Sequence, residues 1–297
     1  MRRVIVVLLL LAVISLPILF VLGGRGVSLI GQRVALVDVT GVIAENAAIG
    51  GTTPRMFTSL LRRAEEDPTI KAVVVRVNSG GGSPAAAEEM YQAILRLREA
   101  GKPVVVSMGD VAASAAYYLS AAADRIVANP SSLTGSIGVI SENFVIAELL
   151  GDLGVTVETV VSGPFKDIPS NFRPMTEDER AYWQQLINDV LETFIDAVAR
   201  GRGLDEEYVR SLADGRLFTG RQAYELKLVD ELGGLEDAIL LAGRLAGIEG
   251  RPDVVPLQRP RPWTERLLQV AVPGAWEFSA AQLIQWLGIP PWGYQLR

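Results

Sequence analysis

Residues 71–84 read KAVVVRVNSGGGSP. The valines are consecutive rather than alternating, which predicts a strand buried on both faces, the kind found in a parallel sheet covered by helices. After Asn78 and Ser79 come three glycines. A helix then begins at Ser83, with Pro84 in its first turn and Gly101 at its end. The neighbouring segments repeat this alternation. Strands are predicted over 34–43, 103–109, 125–130, 135–141 and 155–163. Helices are predicted over 54–67, 83–101, from about Ser114, between the last two strands, over 176–203, near 205–213 and 220–226, and over 235–246. The pattern defines an α/β fold with parallel strands flanked by helices.

The 297 residues carry a net charge of −6 and contain neither histidine nor cysteine. Imidazole–thiolate zinc sites, cysteine nucleophiles, disulfides and every Ser-His-Asp triad are therefore excluded. Nothing in the charge pattern points to nucleic acid, whose binders carry clustered basic residues. The N-terminus has a separate character. Behind Arg2 and Arg3, an uncharged run opens at Val4 and closes at Leu22. As a helix it spans roughly 28 Å, close to the thickness of a bilayer core. The arginines keep the N-terminus cytoplasmic and put the rest of the chain outside. A cleaved signal peptide is the alternative, but the run is long for one, and Gly23-Gly24-Arg25 matches a cleavage site poorly. The tail from Arg251 holds seven of the 16 prolines and four of the five tryptophans, with no sustained strand pattern. Packing against the core or a neighbouring subunit is one reading of it, and contact with the membrane interface is another. The resulting division is an anchor at 1–25, an α/β domain at 26–250 and a Pro/Trp-rich extension at 251–297.

Three segments hold candidate chemistry. The glycine run at 80–82 is either a tight turn or a place where backbone N–H groups face a developing oxyanion; the Lys-Ser/Thr ending of a phosphate-binding loop is absent. In GDVAASAAYYLSAAA (109–123), Ser114 sits at a predicted helix start among alanines. It is either a small packing residue or a nucleophile, with the Ala115 N–H as a second oxyanion donor. In SGPFKDIPSNFRPMT (162–176), Lys166 is either a solvated loop lysine or, with no histidine in the chain, the base. A lysine base needs burial or a nearby cation to hold its amine form. Pro164, Phe165 and Ile168 suit that, whereas Asp167 opposes it if it faces the same way.

Taken together, VVRVNSGGGS (74–83), GDVAASAAYYLSAAADRIVANPSSLTGSIGVI (109–140), SGPFKDIPSNFRPMT and FTGRQAYELKLVDELGG (218–234) resemble the signal peptide peptidase A family in its short, single-repeat form. These are Ser-Lys proteases with the Clp-protease/crotonase fold. The resemblance runs from about Arg33 to Gly247 and takes in the N-terminal anchor. It implies Ser114 as nucleophile, Lys166 as general base, Gly81 and Ala115 as oxyanion donors, and Ser136 as the residue that holds the lysine amine. It implies no cofactor and no metal. It also implies apolar peptide substrates such as cleaved signal peptides, and a ring or dome of identical subunits in which neighbours complete each site. The sequence departs from the family pattern at Gly80, where proline is usual, and at Ala115-Ala116, where glycines are common. The first change is expected to leave the oxyanion hole less pre-formed and the second to narrow the substrate channel. The small residues around Ser114 suit small or apolar substrate side chains. A crotonase-type CoA-thioester enzyme, which needs paired carboxylates near the glycine loop, and a non-catalytic membrane scaffold are the alternative readings.

Overall fold

Alternating burial shows why the valine runs become central strands. In β2 (Ile70–Gly82), Val73, Val75 and Val77 face one core, while Ala72 and Val74 face another; all are fully buried. β1 (Arg33–Ile43) lies parallel on one side of β2, and β3 (Val104–Ala113) lies parallel on the other. Such side chains contribute about 1.5–3 kcal/mol each when fully buried. The connections β1–β2 and β2–β3 run through α1 (Pro54–Glu66) and α2 (Pro84–Glu99). Both helices start on a hydroxyl cap followed by proline: Thr53 Oγ1 accepts from the Met56 N–H, and Ser83 Oγ from that of Ala86. The computed structural model describes residues 31–47 and 50–257; the expected anchor at 4–22 and the chain beyond 257 lie outside the described residues.

β3 forks the sheet. Its first half pairs with β4 (Arg125–Ala128) and its last three residues with β5 (Leu133–Gly135), both parallel. Between β3 and β4 lies the short α3 (Ala115–Ser120). After β5 come α4 (Ala147–Asp152), the long α5 (Glu177–Arg202), α6 (Glu206–Leu212), β6 (Leu217–Thr219), α7 (Gly220–Glu225), β7 (Glu231–Leu232), α8 (Leu235–Leu245) and β8 (Asp253–Pro256). β6 joins β5 antiparallel; β7 and β8 extend the sheet in parallel, on β4 and β1. The main core lies between one sheet face and α1, α2, α3 and α5; α8 covers the other face through Ala238, Ile239, Leu241 and Ala242. The mixed α/β sheet with flanking helices agrees with the class read from the sequence.

The predicted strand over 155–163 does not form. Val155, Val157, Val160 and Val161 are all exposed, and the segment pairs with no strand among the described residues. The glycines at 80–82 are also not a turn but the last residues of β2, which runs through them to the Ser83 cap. β6, β7 and β8 were not anticipated.

One lysine fastens the start of β3 to the end of α1. Lys102 Nζ donates to the carbonyls of Ala64, Glu65 and Asp67 at 2.5, 2.7 and 2.8 Å, filling acceptors that a helix C-terminus leaves open. Lys102→Met is expected to lower unfolding stability by about 1–3 kcal/mol in denaturant titration.

Candidate active site

The carboxyl ends of three parallel strands, β2, β3 and β5, converge, and in open α/β sheets this is where ligands bind. At the end of β3 the chain turns abruptly into α3. The residue at the turn, Ser114, has φ 54° and ψ −126°, a region that a residue with a side chain adopts at a cost of about 1–3 kcal/mol. Ala112 and Ala113 pair with Thr134 and Gly135, and the Ser114 N–H donates to Gly135 O at 2.8 Å. The backbone on either side is thus fixed. The side chain does not cap α3, and its hydroxyl makes no hydrogen bond among the described residues.

Gly81 lies behind Ser114. Its φ is +115°, and a Cβ there would stand 2.9 Å from Ser114 Cβ and 3.1 Å from the Ala115 nitrogen, so only glycine fits. Gly82, at φ +155°, would drive a Cβ to 2.0 Å from Ile43 O. The expected oxyanion donor is engaged elsewhere: the Gly81 N–H donates to Ser79 Oγ at 3.1 Å, and Ser79 Oγ donates to Gly41 O at 2.6 Å. The role of Ser79 was not legible in the sequence. Ser136, one residue past β5, also has positive φ, at 50°, and its N–H donates to Arg216 O at 2.9 Å.

Ser114, Ala115 and Ser136 line one cavity of about 730 Å³, walled also by Gly80, Gly82, the start of α2 and one face of α5 from Gln184 to Phe194. This size suits a small ligand or a few residues of peptide. Tyr118, on its wall, donates to Glu88; burial, then that bond, pushes its hydroxyl up, so it stays a donor. Of the expected residues the structure therefore gathers Ser114, Ala115 and Ser136 on the cavity and sets Gly81 against Ser114. Lys166 is elsewhere. It does not line the cavity, it is exposed, and its side chain makes no hydrogen bond or ion pair among the described residues.

Lys166 belongs to a long arm between β5 and α5. The arm's one helix, α4, buries no residue. Exposed apolar side chains run along it, among them Ile140, Phe144 (77%), Leu149, Leu153 and Val160 (91%). The end of the arm is tied to α5 by a cluster that sequence reading missed. Arg173 clasps Asp167 with two bonds of 2.7 and 3.0 Å, and buried Glu179 with two of 2.6 and 2.7 Å. Glu179 also closes the α5 capping box with Thr176, and that T-x-x-E pattern was readable. Asp167 thus faces Arg173, which offsets the charge expected to oppose a lysine base next to it. Phe165 packs on Tyr182, ring centroids 5.2 Å apart.

The Arg173 guanidinium, then the Thr176 N–H, holds the Glu179 carboxyl down at about 2, against an ordinary 4.5. A lowered carboxyl stabilises the fold above its ordinary value, and that contribution fades as pH falls from about 4.5 towards 2. Amide protection over residues 164–179, relative to the intrinsic exchange rate at each pH, is expected to fall across this window, and that fall is expected to flatten in Glu179→Gln.

A serine on a strained strand-to-helix turn, facing a cavity at the strand ends, is the arrangement in which hydrolases of the nucleophilic serine type present their serine. Comparison with known proteins places it further. The model of peptidase family S49 matches residues 96–249, just over half of the chain. A putative protease of Synechocystis is 39% identical over 80% of this chain and 83% of its own. A putative signal peptide peptidase SppA of Enterococcus faecium is 34% identical over 70% and 62%. Among solved structures, the 1510-N membrane-bound stomatin-specific protease superposes with a TM-score of 0.53 at 14% identity, over 77% of this chain and 99% of that one, a likeness of fold. The chain belongs to peptidase family S49: it is a serine protease related to signal peptide peptidase A, with the Clp-protease/crotonase type of fold.

Proposed function

We propose that this protease is a membrane-anchored endopeptidase that uses a Ser114–Lys166 dyad to degrade remnant signal peptides and other apolar membrane peptides. The observation that carries the reading is Ser114 itself, held at φ 54° with an uncommitted hydroxyl facing the cavity. Lys166, in its amine form, takes the Ser114 proton as Oγ attacks a peptide carbonyl. The resulting oxyanion is held by the N–H groups of Gly81 and Ala115. Lys166 then returns the proton to the leaving amine, breaking the C–N bond. Water, deprotonated by Lys166, opens the acyl-enzyme and frees Ser114. Ser136 orients the amine. For the Gly81 N–H to serve, it must leave Ser79 Oγ, so the oxyanion hole is completed on substrate binding or assembly. The reaction needs no cofactor.

Lys166 reaches Ser114 across a subunit boundary. Two observations support this: the lysine does not line the cavity, and its arm exposes large apolar side chains from Ile140 to Phe172, a surface of the kind that marks an interface. A second copy of the chain, in a ring or dome, would cover that face and accept the lysine. Residues 4–22 anchor the assembly, with the N-terminus cytoplasmic, the catalytic domain (26–250) outside, and the extension (251–297) packing on the core or a neighbour. Of the two carboxylates on the cavity, Asp214 is paired with Arg216, so the cavity lacks the pair of unpaired carboxylates that thioester chemistry needs, which favours a peptidase. The test is hydrolysis of an apolar peptide by the full-length protein in detergent, lost in Ser114→Ala; equal rates in the two proteins would refute the assignment.

A further inference from the structure

The cavity at Ser114 has mostly carbon walls, formed by Ala85, Ala87, Ala115, Ile187, Leu191 and Phe194. Two carboxylates, on Glu88 and Asp214, stand among them. Glu88, on the second turn of α2, is half-buried on this wall and carries a carboxylate. One of its oxygens accepts from Gln92 Nε2 at 2.8 Å and the other from the Tyr118 hydroxyl. Both donors are neutral. Among the described residues no arginine or lysine pairs with Glu88, whereas the cavity's second carboxylate, on Asp214, has Arg216.

The position of Glu88 is also fixed. Tyr118 is wedged between the rings of Tyr91 and Phe194, with centroids 5.4 and 5.0 Å away, so its hydroxyl aims at Glu88 from a rigid seat. A half-buried carboxylate on a largely apolar wall is a ready acceptor for a cation. Two neutral hydrogen bonds orient it and leave its charge unmatched, with lone pairs still open on both oxygens.

We propose that Glu88 is a specificity determinant of this cavity: it receives the terminal cation of a substrate lysine or arginine, whose methylene stem lies along the apolar walls. Such side chains combine an apolar stem with a charged head, and the cavity offers both apolar walls and a carboxylate. The proposal rests on the reading of Ser114 as the reacting residue and deepens it. It replaces a preference for small or apolar side chains by one for long basic side chains at the position that enters the cavity.

The test separates binding from turnover. Labelled apolar peptides, each carrying lysine or its neutral near-isostere norleucine at one position in turn, are titrated by fluorescence anisotropy into the full-length Ser114→Ala protein in detergent. One position is expected to favour lysine by about 10- to 100-fold in Kd. Adding Glu88→Gln, which keeps an oxygen for Tyr118, is expected to collapse that lysine-to-norleucine ratio to near one. If no position favours lysine, or if the ratio survives in the double variant, Glu88 only braces Tyr118 and the proposal is overturned. A collapsed ratio in a protein whose wild type cleaves none of the peptides upholds the pocket and overturns the peptidase reading instead.

Discussion

Ser114→Ala is expected to lower kcat for peptide hydrolysis by about 10⁴- to 10⁶-fold, the scale seen when a nucleophile is removed from a site of this kind. The fold should not suffer. The Ser114 hydroxyl makes no hydrogen bond among the described residues, and its N–H bond to Gly135 O is backbone and survives. Ser114→Gly sharpens the point. Glycine adopts φ 54° without a Cβ penalty, so this variant should be equally inactive yet more stable than wild type by about 1 kcal/mol. Strain released with loss of activity is the signature of a residue held in place for chemistry. A serine kept only for packing would show loss of stability in both variants and little loss of rate.

Lys166→Met is expected to cost about 10²- to 10⁴-fold in kcat, the contribution of a positioned general base. Its thermal midpoint should match wild type, because the lysine side chain has no partner among the described residues to lose. The neighbouring cluster should behave differently. Arg173→Ala frees Asp167 and leaves buried Glu179 without its cation. A variant that loses activity through Arg173 should therefore also lose protection over the arm, and one that loses it through Lys166 should not.

The core of the sheet was legible because its signals are local. Valines 73–75 and 104–106 are buried on both faces, so the strands read as continuous apolar runs, and Thr53, Ser83 and Thr176 each cap the helix that follows them. β8 was hidden for the opposite reason. It is four residues long and ends in proline, and its existence depends on β1, more than 200 residues earlier. The valines of 155–161 misled because their pattern is that of a strand, yet no strand among the described residues pairs with it. An apolar strand pattern left in solvent is itself information about a partner. At the site, Ser114 and Lys166 could be picked out through the order of motifs, but the positive φ of Ser114 and Ser136, the capture of the Gly81 N–H by Ser79, and the placement of Lys166 off the cavity wall depend on tertiary geometry that no local pattern encodes.

A dyad assembled from two copies of the chain is tested directly by mixing two dead variants. Full-length Ser114→Ala and Lys166→Met proteins, differently tagged, are co-expressed, and mixed assemblies are isolated through both tags. A subunit bearing Lys166→Met still offers Ser114, and a Ser114→Ala neighbour still offers Lys166. Mixed assemblies are therefore predicted to regain a substantial fraction of wild-type peptide hydrolysis, while each variant alone stays inactive. Mixed assemblies as inactive as either variant alone would contradict a site shared between subunits.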